Sequence, residues 1–358
     1  MRLTVVGNPG NRRVGLFAEA ARAAGLPSPE VLAWRDVLLG AAPPPAGSVV
    51  RIESPGEDTE VDTLLRGAGV AAGHGELVGL ADWYSGLLRG VSRVAAGGAS
   101  LLIDPDDIAV LCDKRRCHAV LSAAEVPVPG ALPAVTSYAE LRAEMAAAGW
   151  SRVFVKPAHG SSASGVIALA VNGSRLRATT SVELTGETLY NSLRVRTYDR
   201  EADVVTIVDR LARTGPLHVE RWVPKAGLAD RVVDLRVVVI AGRPTHAVVR
   251  AGRGPMTNLH LGNARGDLAE LRAAAGPQSW SAAMETCERV AACFPRSLQV
   301  GVDLMFLTGW RRHAVAEVNA FGDLLPGVLA DGRDTYAEQI DALTSGRWTT
   351  PRAGACVS

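Results

Sequence analysis

Aromatic residues make up only 5% of this 358-residue chain, and its charges almost cancel, with 38 Lys plus Arg against 37 Asp plus Glu and a formal net charge of +1. Because a chain without a net field is not drawn as a whole to nucleic acid or to an anionic membrane, we expect neither partner. No apolar run approaches the roughly 18 residues of a membrane span, and the N-terminus lacks the apolar core of a signal peptide. We therefore predict a cytoplasmic protein.

Several familiar motifs are also missing. The five cysteines form no C-x-x-C pair, which favours reduced thiols over a disulfide framework or a metal site. The turn after the first β-like run is Gly7-x-x-Gly10, which lacks the full dinucleotide fingerprint, and no Walker A sequence occurs. These absences disfavour nicotinamide or flavin binding and argue against a P-loop nucleotide site.

The remaining sequence is that of a folded protein with several domains. Hydrophobic residues make up 47% and charged residues 21%, close to the globular average, and the length suggests two or three domains. Short β-like runs alternate with helical stretches over about the first hundred residues, which predicts a small parallel sheet. Further along we predict one helix over 107–124, a polar and less regular region after 172, and antiparallel strand pairs at 232–240 with 246–250 and at 300–306 with 314–318.

A Gly/Ser-rich loop joins two of the predicted strands. Val153 to Pro157 and Val166 to Val171 are β-like, and Gly160 to Gly165 between them contains only glycine, serine and alanine. Free backbone N–H groups in such a tip can surround an anion, and Lys156 precedes it on a strand. The pattern therefore outlines a phosphate clamp, although a plain Gly/Ser turn fits the same residues.

Three polar side chains interrupt two apolar strands near the C-terminus. Asp303 lies in V-G-V-D-L-M-F, and Glu317 and Asn319 lie in A-V-A-E-V-N-A. Residues two apart on a strand share a face, and an adjacent antiparallel strand can bring Asp303 beside them. Oxygen ligands of this kind suit Mg²⁺, whereas solvated positions of edge strands are the alternative. Because an unpaired carboxylate among apolar neighbours is costly, we favour the metal site.

A third feature is the run from Val248 to Gly262, which carries Arg250, Arg253 and the sequence Asn258-Leu259-His260 around a Gly-rich bend. Arginine can orient a phosphate and Asn-x-His can polarise a reacting oxygen, but a solvated loop explains the run equally well.

Together these residues resemble the ATP-grasp superfamily, specifically its carboxylate–amine ligases of the ribosomal-protein glutamate ligase type. The resemblance covers roughly 104–327, and its motifs follow one order along the chain: D-K before V-P-V-P, F-V-K-P with its Gly/Ser loop, H-V-E-R-W-V, D-L-R, an arginine, N-L-H-x-G, V-G-V-D and E-V-N-A. A smaller resemblance is carried by R-I-E-S-P-G-E, Arg51 to Glu57, which is similar to a stretch in a group of bacterial ATP-grasp proteins.

The resemblance implies a role for each matching residue. The implied ATP-binding residues are Lys114, Lys156, Gly160, Ser161, Ser162, Gly165, Glu220, Arg221, Val223 and Asp234, with the two lysines on the phosphates, the Gly160 to Gly165 loop as a lid, the hinge on adenine and Asp234 on the ribose. The implied ligands of one or two Mg²⁺ ions, with Mn²⁺ as an alternative, are Asp303, Glu317 and Asn319. The implied catalytic residues are Arg250, Arg236 and Asn258. Such charges stabilise a moving phosphoryl group while the protein positions the nucleophile.

The sequence departs from the family pattern at the substrate end. Met256 stands where the glutamate-ligase type has arginine two residues before Asn258, so that contact is missing or supplied by Arg253. Asn263 replaces the second glycine after N-L-H-x-G, and Ala320 to Asp323 replaces a Ser-Pro turn near the acceptor. These differences bear on the substrate more than on ATP.

The resemblance implies an α/β protein in which a small parallel-sheet domain precedes a two-lobed α+β ATP-grasp body, divided as 1–104, 105–217, 218–345 and a tail at 346–358. It implies an ATP-dependent ligase that activates a carboxylate as an acyl phosphate and joins it to an amine. Its partners would be small-molecule or peptide carboxylates and amines, and a homodimer is allowed. Two rival readings remain, a non-catalytic ATP-binding regulator and a small-molecule kinase without ligation.

Overall fold

The computed structural model describes residues 1–67, 72–73, 75–161, 163–321 and 325–349. Within these residues the chain forms three β-sheets with helices packed against them. None of the helices in this described part combines the length and the apolarity that a bilayer crossing requires.

The N-terminal part is a parallel four-stranded sheet in the order β2-β1-β3-β4. Its strands and helices are β1 Arg2–Gly7, α1 Arg12–Ala23, β2 Glu30–Ala33, α2 Trp34–Leu38, β3 Ser48–Ile52, α3 Thr59–Arg66, α4 Leu80–Ala95 and β4 Ser100–Leu101. Asn11 begins α1 by accepting a hydrogen bond from the Arg13 backbone N–H. The predicted small parallel sheet is confirmed.

The middle part is an antiparallel five-stranded sheet in the order β8-β7-β6-β5-β9. Its elements are α5 Pro105–Leu111, α6 Lys114–Ala123, α7 Tyr138–Ala147, β5 Arg152–Pro157, β6 Ile167–Asn172, β7 Arg175–Thr185, β8 Thr188–Tyr198, α8 Glu201–Thr214 and β9 Leu217–Arg221. The predicted hairpin around the Gly/Ser loop is β5 and β6, which pair antiparallel.

Two predictions for this part are wrong. The single helix expected over 107–124 is two helices, because the Asp113 carboxylate accepts from the backbone N–H groups of Arg115 and Arg116 and begins α6 anew. The region after 172 is not irregular but forms the long hairpin of β7 and β8. Its outer strand is half exposed, so the sequence lacks the apolar alternation that marks a buried strand.

The C-terminal part is a six-stranded antiparallel sheet, in which β13-β12-β11-β14-β15 follow one another and β10 pairs with β11. Its elements are β10 Gly227–Leu228, β11 Arg231–Ile240, β12 Arg243–Gly252, β13 Ala264–Gly266, α9 Leu268–Ala292, β14 Gln299–Phe306, β15 His313–Asn319 and α10 Thr335–Thr344. Helix α9 is kinked at Gly276, whose φ is +74°, before Pro277. The α/β fold class is confirmed.

The N-terminal sheet packs on the C-terminal part. Phe17 of α1 and Tyr336 of α10 share a buried apolar cluster, and the Arg51 guanidinium lies 4.9 Å from the first ring centroid and 5.4 Å from the second. Arg51 Nε also donates to Glu53 Oε1 at 2.7 Å. The R-I-E stretch therefore holds this contact between the first and last parts of the chain.

The division at 104, 217 and 345 stays a prediction, and hydrogen bonding places β9 in the middle sheet.

Candidate functional site

A cleft with about 700 Å³ of empty space lies where the middle and C-terminal sheets meet. The middle sheet contributes strands β5 and β9 to this cleft, and the C-terminal sheet contributes β11, β12, β14 and β15. The start of α6 contributes as well. The residues that line it are Lys114, Phe154, Lys156, Gly160, Ala163, Ser164, Val166, Glu220, Arg221, Val223, Lys225, Asp234, Arg250, Pro255, Met256, Asn258, Asp303, Met305, Ala316 and Glu317. Most of the residues predicted for ATP, metal and catalysis thus meet in one place.

Lysine–carboxylate pairs occur in three places along the cleft. The pairs are Lys114 Nζ with Glu317 Oε1 at 2.8 Å, Lys156 Nζ with Glu220 Oε1 at 2.5 Å, and Lys225 Nζ with Asp234 Oδ2 at 2.7 Å. The three lysine side chains are only 11–13% exposed. Removing an ammonium from water this far is costly unless opposite charges compensate it. The cleft therefore holds a balanced set of charges that can be redistributed around an anionic ligand.

Buried charges alternate across three neighbouring strands. Arg250 Nε of β12 donates to Asp234 Oδ1 of β11 at 2.7 Å, and Arg250 Nη1 donates to Asp303 Oδ2 of β14 at 3.1 Å. Arg236 Nη2 donates to the same Asp303 oxygen at 3.3 Å. The strand register explains the arrangement, because Asp234 is paired with Arg250 and Arg236 with Asp303. Arg250 is thus fixed between two carboxylates at the floor of the cleft.

These contacts shift the ionisation of the carboxyl groups. Burial alone would raise the pKa of Glu220, but Lys156 and His218 outweigh it and hold that pKa at about 2. Burial likewise opposes ionisation of Asp234, yet Arg250 and Lys225 hold its pKa below the ordinary range. The two carboxylates raise the pKa of Arg250 against the effect of burial. All three groups therefore stay charged at neutral pH.

The predicted metal ligands lie side by side on β14 and β15. Asp303 is the cross-strand partner of Glu317, and Gly301 is the partner of Asn319. Asn319 Nδ2 donates to the Gly301 carbonyl at 3.3 Å. In the part of the chain that the structure describes, no three His, Cys, Asp or Glu side chains are close enough to hold a metal. The carboxylates of Asp303 and Glu317 do line the cleft. They fit Mg²⁺, which usually takes one or two carboxylates and keeps its other ligands from water or phosphate.

The Gly160 to Gly165 loop, which the resemblance predicts as a lid, contributes residues from both of its halves to the cleft. Gly160, Ala163 and Ser164 line the cleft, and the Gly160 carbonyl accepts a hydrogen bond from Lys114. Gly165 has a φ of +71°, and a Cβ there would lie 2.7 Å from Pro157 Cγ, so this position requires glycine. Ser161 and Gly165 are not among the lining residues, and Ser162 lies outside the described residues.

Strand β9 and the residues just after it form the adenine hinge that the resemblance implies, and they also line the cleft. Glu220, Arg221 and Val223 line it, and the Arg221 N–H donates to the Gly130 carbonyl at 2.8 Å. Of the remaining predicted residues, Asn258 lines the cleft, whereas Arg236 and Asn319 are not among its lining residues. Arg236 donates to Asp303, and Asn319 donates to the Gly301 carbonyl.

The family departures have local explanations. Met256 is 6% exposed and packs with Val166, Leu261 and Ala163, so it joins the lid loop to the C-terminal part through apolar contact. Asn263 Nδ2 donates to the carbonyls of Met256 at 2.9 Å and Asn258 at 3.0 Å, which braces the bend.

Arg253 does not line the cleft. Its side chain is 76% exposed and pairs with Asp230 at 3.2 Å, away from the lining residues. Sequence reasoning missed Lys225 and Thr257, which contact Asp234. It also missed Phe154 and Met305, which line the cleft. For Lys225 a signal was available, because lysine is rare in this chain.

No protein-family model matches the sequence, and no curated protein matches it. Solved structures do match. The D-cycloserine synthetase DcsG has a TM-score of 0.60 at 17% identity over 95% of this chain and 98% of its own. The ATP-grasp ligase PsnB, solved with a minimal precursor, Mg and ADP, has a TM-score of 0.53 at 16% identity over 96% and 98%. The macrocyclase MdnC from Microcystis aeruginosa MRC, solved with the precursor peptide MdnA, has a TM-score of 0.56 at 12% identity over 96% and 100%.

These likenesses extend over nearly the whole length of each chain and include the small N-terminal sheet as well as the two lobes around the cleft. At such identities they concern architecture, and the sequence motifs point to the same architecture independently. The chain therefore has the fold of the ATP-grasp superfamily.

Proposed function

We propose that this protein is an ATP-dependent carboxylate–amine ligase. One carboxylate oxygen of the substrate attacks the γ-phosphorus of ATP, the bond to the β-phosphate breaks and ADP leaves. The amine nitrogen then attacks the carbonyl carbon of the acyl phosphate and loses a proton, and phosphate departs with the carboxylate oxygen. The observation that carries the proposal is the cleft between two sheets in which buried lysines, arginines and carboxylates lie together.

In this proposal the nucleotide lies against the lid and the hinge. Lys114 and Lys156 contact the phosphates, and binding of an anion offsets the cost of burying them. The lid from Gly160 to Gly165, with Ser161 and Ser162, covers the phosphates through backbone N–H groups. Glu220, Arg221 and Val223 hold the adenine.

The proposed metal ligands are Asp303, Glu317 and Asn319. When bound there, Mg²⁺ would neutralise phosphate charge as the phosphoryl group moves. The 28% exposure of the Glu317 side chain leaves its carboxylate accessible from the cleft. Asp303 is already paired with Arg236 and Arg250, so its charge serves both the arginines and the metal.

Arg250, Arg236 and Asn258 are the proposed catalytic residues. Arg250 carries its charge into the cleft on a guanidinium that Asp234 and Asp303 hold in place. Because it is already oriented, no reorganisation is needed when negative charge develops. The resemblance implies that Asn258 faces the transferred phosphoryl group and that Asp234 contacts the ribose. Asp234, however, already accepts hydrogen bonds from Arg250, Lys225 and Thr257.

The substrate is less defined than the reaction. PsnB and MdnC are solved with precursor peptides, whereas DcsG is a synthetase of the small molecule D-cycloserine. A peptide or a small-molecule carboxylate is therefore compatible with the fold. The ribosomal-protein glutamate ligase type, the cytoplasmic location and a homodimer stay predictions.

The test is ADP release by the purified protein with Mg²⁺ in the presence of pooled carboxylic acids, with and without pooled amines. Acid-dependent release that is lost in Glu317→Ala supports metal-assisted activation, and a requirement for the amine in product formation supports ligation. Glu288→Ala, a change of an exposed glutamate on α9, is the matched control.

Isotope transfer separates the ligase from its rivals. A substrate carboxylate labelled with ¹⁸O should deliver one labelled oxygen to the released phosphate. A kinase without ligation would keep the phosphoryl group on its product, and a regulatory protein would bind ATP without acid-dependent turnover. Either result would contradict the ligase proposal.

A further inference from the structure

Lysine is almost absent from this protein. The sequence contains 38 basic residues, of which only Lys114, Lys156 and Lys225 are lysine and all others are arginine. All three lysines line the same cleft. Among the described residues, every exposed Lys or Arg position is an arginine. Lysine therefore occurs only where a compact ammonium with three donors differs in use from a planar guanidinium. This distribution indicates that Lys225 has the same kind of role as Lys114 and Lys156, although it lies outside the motifs that carry the family resemblance.

The environment of Lys225 supports that equivalence. Its side chain is 12% exposed, compared with 13% for Lys114 and 11% for Lys156, and like them it is paired with one carboxylate of the cleft. Lys225 Nζ donates to Asp234 Oδ2 at 2.7 Å and to Thr257 Oγ1 at 2.9 Å. These contacts account for two of its three donors, and the ammonium lies at the cleft wall.

Thr257 connects Lys225 to the bend that carries Asn258. Thr257 lies between Met256, which packs into the apolar cluster of the lid, and Asn258, which lines the cleft. Met256 brings no charge to this bend, and Arg253 is exposed and paired with Asp230. Lys225 therefore reaches the bend next to Asn258 through its contact with Thr257.

We propose that Lys225 contacts the phosphates of the bound nucleotide at the end next to Asn258, and that Asp234 and Thr257 position its ammonium. Asp234 influences the nucleotide through the cations that it holds in place, because its two oxygens already accept hydrogen bonds from Arg250, Lys225 and Thr257. The inference rests on the proposed function, since it presumes that the cleft binds ATP.

The test compares ATP and AMP affinities, in the presence of Mg²⁺, by calorimetry and by displacement. Lys225→Met should weaken ATP binding by ~10-fold or more, the value of one hydrogen bond to a charged group, and leave AMP binding within about twofold. Arg253→Met removes the same charge from the neighbouring exposed site and should leave both affinities unchanged. A purely structural role would weaken ATP and AMP equally, which would overturn the inference.

A second variant covers the case in which Lys225→Met fails to fold. Lys225→Gln keeps a donor toward Asp234 without the charge and should show the same selective loss of ATP affinity. A wild-type ratio of ATP to AMP affinity in Lys225→Gln would overturn the role of Lys225 alone. Failure of the wild-type protein to bind ATP would instead overturn the proposed function and this inference with it.

Discussion

Asp303 and Glu317 are direct cross-strand partners on β14 and β15, and each carboxylate is already paired with a cation. The register places their side chains on one face of the sheet, where the cleft lies. Two carboxylates from different strands thus converge although they are fourteen positions apart in the sequence.

Replacement of Glu317 by Gln should lower Mg²⁺-dependent ADP release by about 100-fold or more, the usual effect of removing one charge-stabilising group at a reacting phosphate or oxyanion. It removes a proposed metal ligand and leaves Lys114 without the carboxylate that lies 2.8 Å away. A Mg²⁺ titration of ADP release, with Mn²⁺ binding measured by electron paramagnetic resonance, checks both effects. Glu288→Gln is the control, and an unchanged Mg²⁺ requirement in Glu317→Gln would contradict the assignment.

The Glu220 carboxyl predicts a specific pH dependence of stability. Its pKa is about 2 in the folded protein and 4.5 ordinarily, so its contribution is present above the ordinary pKa and is lost as pH falls toward 2. This pKa difference contributes about 3 kcal/mol to the free energy of unfolding in full, and about 2 kcal/mol of it is lost between pH 5 and pH 3.

Urea unfolding at pH 3, 4 and 5 measures this contribution. The free energy of unfolding of the wild type should fall more steeply with decreasing pH than that of Glu220→Gln, by about 2 kcal/mol over the range. Parallel pH profiles of the two proteins would show that the Lys156 and Glu220 pair does not stabilise the folded state in this way.

Met256 should hold the lid loop by apolar contact. Met256→Ala removes its packing against Val166, Leu261 and Ala163, at a cost of about 2 kcal/mol, the low end for methionine truncation because the cluster is small. Hydrogen exchange of 163–166 should accelerate while the sheets stay protected. Met284→Ala, a truncation of a partly buried methionine that packs against the main core, is the control and should leave exchange in the lid unchanged.

Gly165 should resist substitution more than other left-handed glycines. Gly165→Ala brings a Cβ within 2.7 Å of Pro157 Cγ in addition to the strain of its φ of +71°, whereas Gly173 has a φ of +60° and nothing within 4 Å. Gly165→Ala should therefore cost about 1–3 kcal/mol more than Gly173→Ala, an overpacking penalty. Thermal unfolding of the two variants measures the difference, and equal melting temperatures would refute the proposed clash.

The sequence by itself determined the fold class and most elements of the cleft. Short apolar runs bounded by turn residues predicted the strands of β5 with β6 and of β14 with β15, and the spacing of Glu317 and Asn319 predicted that both share one face. The order of motifs then predicted the ATP-grasp fold. Prediction from the sequence failed where the local signal was weak. Strand β8 is largely exposed and lacks apolar alternation, and the cap at Asp113 divides what the sequence predicts as one helix.

Only the tertiary structure decided which charges meet. A strand pattern gives the face of a residue but not its neighbour on the next strand, because neighbours depend on the register between distant segments. The register of β11 with β12 pairs Asp234 with Arg250, and the chain after β9 brings Lys225 to the same carboxylate. Lys225 was visible in the sequence as one of three lysines, yet its part in the cleft follows from packing alone.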